Sequence, residues 1–294
     1  MINGIIAKIL SESTLATYPV FIKIINIPFI IKILYRFFAF CMISLFFCDL
    51  TVLKKYLLNK NGLLLSFYTL IHVFSSYKGF ELLNGGVASS ILYIYPLIIL
   101  YLNNKKYILI YLFILCGLIL LSFDHIIKEN DQNNQNNQNT FLNYTKGFSY
   151  MFVSAITEAL IYFSVLNIKT TNNWNHIFIS YFFGLIIIFF YYFIKHNKIN
   201  NIIKEKEKEN FIIDKKNIFF LLFNIFAALF GYYLRFYSID KLNHKLYAIL
   251  SYLGIFMTYF YSYLFNNEKI TYLNFIGSLI IIISNIYLLF QPNT

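Results

Sequence analysis

The sequence predicts an all-α membrane protein, with ten transmembrane helices in a five-plus-five inverted repeat, on three observations. The 294 residues are 59% hydrophobic and 13% charged, with a mean hydropathy of +0.63, whereas soluble domains devote about a quarter of their residues to charge. The apolar residues form runs of about twenty, the length that crosses a hydrocarbon core of about 30 Å. The alternating strands of about ten residues that a β-barrel needs are absent from the sequence. Finally, a polar pattern occurs twice: Glu12, Lys23 and Asn26 recur as Glu158, Lys169 and Asn172, each 146 positions on.

Ten spans follow in order, at about 4–24, 27–48, 62–82, 85–103, 106–124, 146–168, 175–194, 217–237, 243–265 and 270–290. The first carries Lys8, Glu12 and Lys23 and no clear small-residue cleavage site, so it reads as a retained span and not a signal peptide. Pro28 marks a very short turn after it, and Asn84-Gly85-Gly86 makes an equally short one after the third. Residues 1–124 form the first repeat, 125–145 an Asn/Gln-rich linker with nothing to bury, and 146–294 the second repeat. The alternating run Lys204-Glu205-Lys206-Glu207-Lys208-Glu209 reads as a solvated loop within 195–216.

The later parts of the two halves also correspond. Asn84 pairs with Asn243, now 159 positions apart, and the charged loop supplies the extra residues. Five spans per copy is an odd number, so the halves enter the membrane in opposite directions. Loop lysines of the first half favour cytoplasmic termini, and the lysines of 195–216 oppose that orientation.

The net charge of +11 is scattered over short loops and helix ends, without a basic stripe or groove-reading motif. It reads as a topology signal and not as a nucleic-acid surface. Cys41, Cys48 and Cys116 lack metal-type spacing and read as small hydrophobes. No nucleophile–base set, phosphate loop or metal cluster is visible in the sequence, so no enzyme activity and no cofactor are expected. Membrane lipid and a small-molecule solute are the expected partners.

The residues that carry chemistry are those that are costly in lipid. Glu12 lies about 12 Å into its span and Glu158 about 16 Å into its own, at 1.5 Å per residue. An acid near the bilayer midplane usually lines a pathway. Lys23 and Lys169 stand eleven residues further on, nearly the same helical face, where each can snorkel to the interface. A deep carboxyl that holds a proton and yields it to an arriving cation is a physical basis for proton/solute exchange. The competing reading is structural: Lys8, one turn before Glu12, can neutralise it, whereas Ser154 holds that place before Glu158.

A second set, Lys23, Arg36, Lys78 and Arg235, would suit an anionic solute, since arginine grips oxyanions through a fork. Span-end locations favour interface anchoring for these four. His72 is a candidate proton relay or a packing residue. Tyr93, Tyr95 and Tyr252 are candidate cavity-lining residues near the breaks at Pro96 and Gly254. Trp174 reads as an interface anchor.

The fourth span contains Gly86-Val87-Ala88-Ser89-Ser90-Ile91-Leu92-Tyr93-Ile94-Tyr95-Pro96 and the ninth Ala248-Ile249-Leu250-Ser251-Tyr252-Leu253. In these stretches above all, and over nearly its whole length, the chain resembles the drug/metabolite transporter superfamily, in particular ten-helix proteins with two EamA-type units. Asn267-Glu268-Lys269 followed by Gly277 is similar to the closing turn and final helix of such a unit, and Leu34-Tyr35-Arg36-Phe37-Phe38 to its second helix. Ser11-Glu12-Ser13 stands where that family often has a tryptophan-glycine pair, and Gly254 where a proline is common. The resemblance implies transport of small metabolites or drug-like molecules by alternating access. Proton-coupled exchange of a cationic or zwitterionic solute is the expectation; the alternatives are an exchanger of phosphorylated or nucleotide-linked anions and a non-transporting scaffold.

Overall fold

The computed structural model describes residues 2–132, 137–202, 214–267 and 271–291. Among these, regular structure is helical: α1 (Ile2–Leu15), α2 (Tyr18–Ile24), α3 (Phe29–Leu45), α4 (Leu50–Tyr56), α5 (Lys60–Leu82), α6 (Gly85–Leu92), α7 (Tyr95–Asn103), α8 (Ile108–Gln132), α9 (Asn137–Asn167), α10 (Asn173–Ile202), α11 (Lys215–Lys241), α12 (His244–Ser251), α13 (Leu253–Asn266) and α14 (Tyr272–Phe290). A single 3₁₀ turn at Lys105–Tyr107 joins α7 to α8.

Three pairs are single rods with a break. Pro19 opens α2 and Pro96 opens α7, each in the first turn, where the missing N–H has no intrahelical acceptor. Tyr252 joins α12 to α13 without a proline. Seven helical stretches are long and apolar enough to cross a membrane: Ile2–Ile24, Gly85–Asn103, Leu142–Asn167, Asn173–Ile194, Lys215–Lys241, His244–Asn266 and Tyr272–Phe290. The other three expected spans fall on α3, α5 and α8. Of these, α3 is short at 17 residues, and α5 carries buried Ser66, Thr69, His72, Ser75 and Ser76, which dilute its hydropathy.

The bundle buries charged groups within its apolar interior and exposes large apolar side chains outside. Phe189, Phe190, Phe226, Phe260 and Ile283 are exposed, whereas Lys8, Glu12, Arg36, His72, Glu158 and Arg235 are buried. Exposed apolar surface on this scale needs lipid to cover it, and the chain is an integral, multi-pass membrane protein. α5 packs along α9, α1 along α11, α8 along α14, and α3 along α10. The α8–α14 contact brings backbones together at Gly117 and Gly277. A Cβ on Gly117 would stand 2.9 Å from the Gly277 carbonyl oxygen, and one on Gly277 2.7 Å from that of Gly117.

Several expected loops are shorter than the sequence suggested. α8 runs to Gln132 and α9 starts at Asn137, so helix covers most of the expected linker; 133–136 lie outside the described residues. Helix propagation adds one hydrogen bond per residue fixed, so a polar tail can extend a helix that apolar packing has nucleated. α10 likewise continues to Ile202, and the charged run at 204–209 lies outside the described residues, as do Glu268 and Lys269. Asn267, just before that pair, caps α13 in the left-handed region at φ 53°. Asparagine tolerates this conformation better than most residues.

Candidate functional site

Four helices from the two halves converge on one ion-pair cluster. From α1, Glu12 takes Lys8 Nζ on Oε1 at 2.6 Å, one turn back along the same helix. Tyr93, at the α6–α7 break, donates its hydroxyl to Glu12 Oε2 at 2.6 Å, and Tyr95 approaches Oε1 at 3.5 Å. From α11, Arg235 Nη2 donates to Glu12 Oε1 at 3.0 Å while Nη1 donates to Glu158 Oε1 on α9. One guanidinium therefore joins both acids. Lys8 also lies over the Tyr247 ring at 3.6 Å, and Arg235 flanks Tyr95 and Tyr232 at 5.6 and 5.4 Å.

Lys8, Glu12, Glu158 and Arg235 are each at most 5% exposed. Their formal charges sum to zero, and a buried charge is tolerated only when paired. Gly254 makes room for this arrangement. A Cβ there would collide with the Tyr93 hydroxyl and stand 2.7 Å from Glu12 Oε2. The proline common at this place in the resembled family would not fit beside Glu12.

The second acid is less completely held. Among the described residues Glu158 Oε2 accepts no hydrogen bond, although His72 Nε2 stands 3.3 Å away. His72 is fixed from both sides. Its Nδ1 lies 3.1 Å from the Ser154 carbonyl and 3.0 Å from the Ser154 hydroxyl, and Nε2 lies 3.1 Å from the Tyr232 hydroxyl. With one hydrogen, on Nδ1, the ring gives it to the Ser154 carbonyl and accepts from Tyr232. Glu158 Oε2 then faces a lone pair, and a second ring proton would supply its donor. A cavity of about 30 Å³ adjoins the cluster, lined by residues that include Tyr18, His72, Ser76, Tyr93, Tyr232 and Arg235. That is space for about one water.

The expected residues divide clearly. Glu12, Glu158, His72, Tyr93, Tyr95 and Arg235 come together, and the structural pairing of Lys8 with Glu12 is present as well. Tyr252 does not join them: it is buried at the α12–α13 break, and its hydroxyl has no hydrogen bond among the described residues.

The four-member basic set divides in two. Lys23 reaches Asn84 Oδ1 at 3.4 Å, and Lys78 pairs with Glu81 at 3.1 Å. Arg36 and Arg235 are 1% and 5% exposed, so they are not interface anchors. α11 continues to Lys241, which leaves Arg235 more than a turn inside a helix that had been expected to end near it. Arg36 instead sits among aromatic rings on α3. Lys169 is exposed, as a snorkelling lysine should be. Ser154, Tyr232 and Tyr247 were not singled out as site residues by the sequence. Ser154 nevertheless holds the place that Lys8 holds before Glu12, and Tyr232 stands three residues before Arg235 on the same helical face.

Residues 145–290 match the model of the EamA-like transporter family. No curated protein matches the chain. The matched segment supplies Glu158, Tyr232 and Arg235, and the preceding half supplies Lys8, Glu12, His72 and Tyr93.

Proposed function

We propose that this protein, whose second half makes it a member of the EamA-like transporter family within the drug/metabolite transporter superfamily, exchanges protons for a small cationic or zwitterionic organic solute by alternating access. Its ten spans act as two inverted five-helix units. The packing supports that division: swapping the halves exchanges the α5–α9 contact with α1–α11 and returns α3–α10 and α8–α14 to themselves. The ends of α5 at Leu82 and α11 at Lys241 keep the 159-residue offset of Asn84 and Asn243.

The observation that carries the reading is Arg235 bridging Glu12 and Glu158. A path between the halves requires α1, α9 and α11 to part, and Arg235 cannot then leave a bare carboxylate in an apolar core. A proton, or the cationic group of a solute, takes its place on Glu158, and competition between the two couples their movements. His72 stands where it can receive or return the proton. The cavity of about 30 Å³ beside the cluster admits water but no metabolite, so on this reading the helices part to admit the solute.

Proteoliposomes containing the purified protein test this. A panel of organic cations and zwitterions is added under an imposed pH gradient, with proton release read by an internal dye. Solute-evoked release that Glu158→Gln abolishes is expected. Exchange of phosphorylated anions that is indifferent to Glu158 but requires Arg235 would replace this function with anion exchange. No flux under any gradient would leave only a scaffold.

A further inference from the structure

Arg36 is a positive charge that the central cluster does not balance. It lies mid-helix on α3 and is 1% exposed. Its surroundings are aromatic: the guanidinium carbon stands 4.7 Å from the Tyr18 ring, 5.1 Å from Phe40, 5.4 Å from Tyr232, 5.7 Å from Tyr77 and 5.8 Å from Tyr181. Its one hydrogen bond runs from Nη2 to the Tyr181 hydroxyl at 3.0 Å. Among the described residues Nε and Nη1 have no hydrogen-bond partner, and no carboxylate pairs with it. Ring faces attract a cation but accept none of its N–H bonds in the plane of the guanidinium.

The place is also connected to the transport site. Tyr18 and Tyr232, two of the rings around Arg36, line the cavity that Arg235 and His72 line. Tyr232 is shared outright, with both arginines 5.4 Å from its ring.

We propose that Arg36 is the binding site for a carboxylate on the transported solute, which makes the cargo a zwitterion whose cationic group meets Glu158. Nη2 carries two hydrogens and gives one to Tyr181. The second, with either unpaired nitrogen, forms the two-pronged fork that fits a planar carboxylate. The aromatic box keeps the cation in place while the site is empty, and movement of Tyr18 or Tyr232 toward the open state exposes it. The cargo's carboxylate then answers Arg36, as Lys8 and Arg235 answer the two glutamates in the empty site. This assignment rests on the transport reading above for its cargo, but the site itself is tested without transport.

The probe is acetate on the purified full-length chain, followed by thermal unfolding in detergent at constant ionic strength. Sodium chloride and acetamide serve as controls for ionic strength and shape. Acetate should raise the midpoint saturably while chloride and acetamide do not. The shift should vanish in Arg36→Gln and persist in Glu158→Gln. Should Arg36→Gln fail to fold, Arg36→Lys decides: it keeps a cation in the box without the fork, and acetate should bind at least tenfold more weakly. No saturable shift in the wild type, or an equal shift in the Arg36 variant that folds, overturns the proposal. Either result leaves proton exchange at Glu158 standing, and failed solute flux with acetate binding intact would do the reverse.

Discussion

Glu12 and Glu158 stand 146 positions apart and share Arg235, yet one is fully held by its surroundings and the other is not. Glu12 has both oxygens taken, by Lys8, Arg235 and Tyr93, with Tyr95 at the limit of reach. Glu158 has Arg235 on one oxygen and an imidazole edge near the other. The saturated acid fixes α1 against α11 and the α6–α7 break. The unsaturated one retains capacity for a proton or a cationic group. Each carboxylate has a different neighbour one turn before it, Lys8 before Glu12 and Ser154 before Glu158. Ser154 holds His72, so the residue that replaces a cation recruits a titratable ring.

The widest test of this contrast is removal of what the acids share. Arg235→Gln leaves two buried carboxylates facing Lys8 alone, and unfolding in detergent should show a loss of about 3–5 kcal/mol, the usual cost of stripping a buried ion pair of one partner. Glu12→Gln should cost nearly as much, about 3–5 kcal/mol, because Lys8 and Arg235 both lose their main acceptor. Glu158→Gln should cost less, about 1.5–3 kcal/mol for one charge-assisted bond. Equal losses from the two glutamine variants would break the comparison.

Smaller changes sharpen it. Gly254→Ala pushes a methyl group into the Tyr93 hydroxyl beside Glu12, and about 1–3 kcal/mol of overpacking is expected in the same unfolding assay. Tyr93→Phe should cost about 1.5 kcal/mol, the lower end for a bond to a charged group. Tyr95→Phe, which loses a contact at 3.5 Å, should stay within about 0.5 kcal/mol of wild type.

The acids were legible in the sequence because a carboxylate inside an apolar run is rare and costly, and its repetition gave the register. His72 was visible for the same reason, but its role was not. An isolated histidine in a span does not reveal that Ser154 and Tyr232 from two other helices will grip it. Tyr232 was hidden among 26 tyrosines; only its spacing to Arg235 distinguished it. Hydropathy alone puts Arg235 at a span end, whereas the helix runs past the apolar stretch to Lys241. Tyr252 shows the limit of reasoning from a break. Its position resembles that of Tyr93, but among the described residues no acid accepts from its hydroxyl.

The asymmetry is tested most directly by double-mutant cycles that pair Arg235→Gln with Glu12→Gln and, separately, with Glu158→Gln, read by reversible unfolding of the full chain. Coupling of Arg235 to both acids, with the single Glu12 variant clearly less stable than the single Glu158 variant, is the predicted result. Additive losses in either cycle, or a Glu158 variant less stable than its Glu12 counterpart, would contradict it.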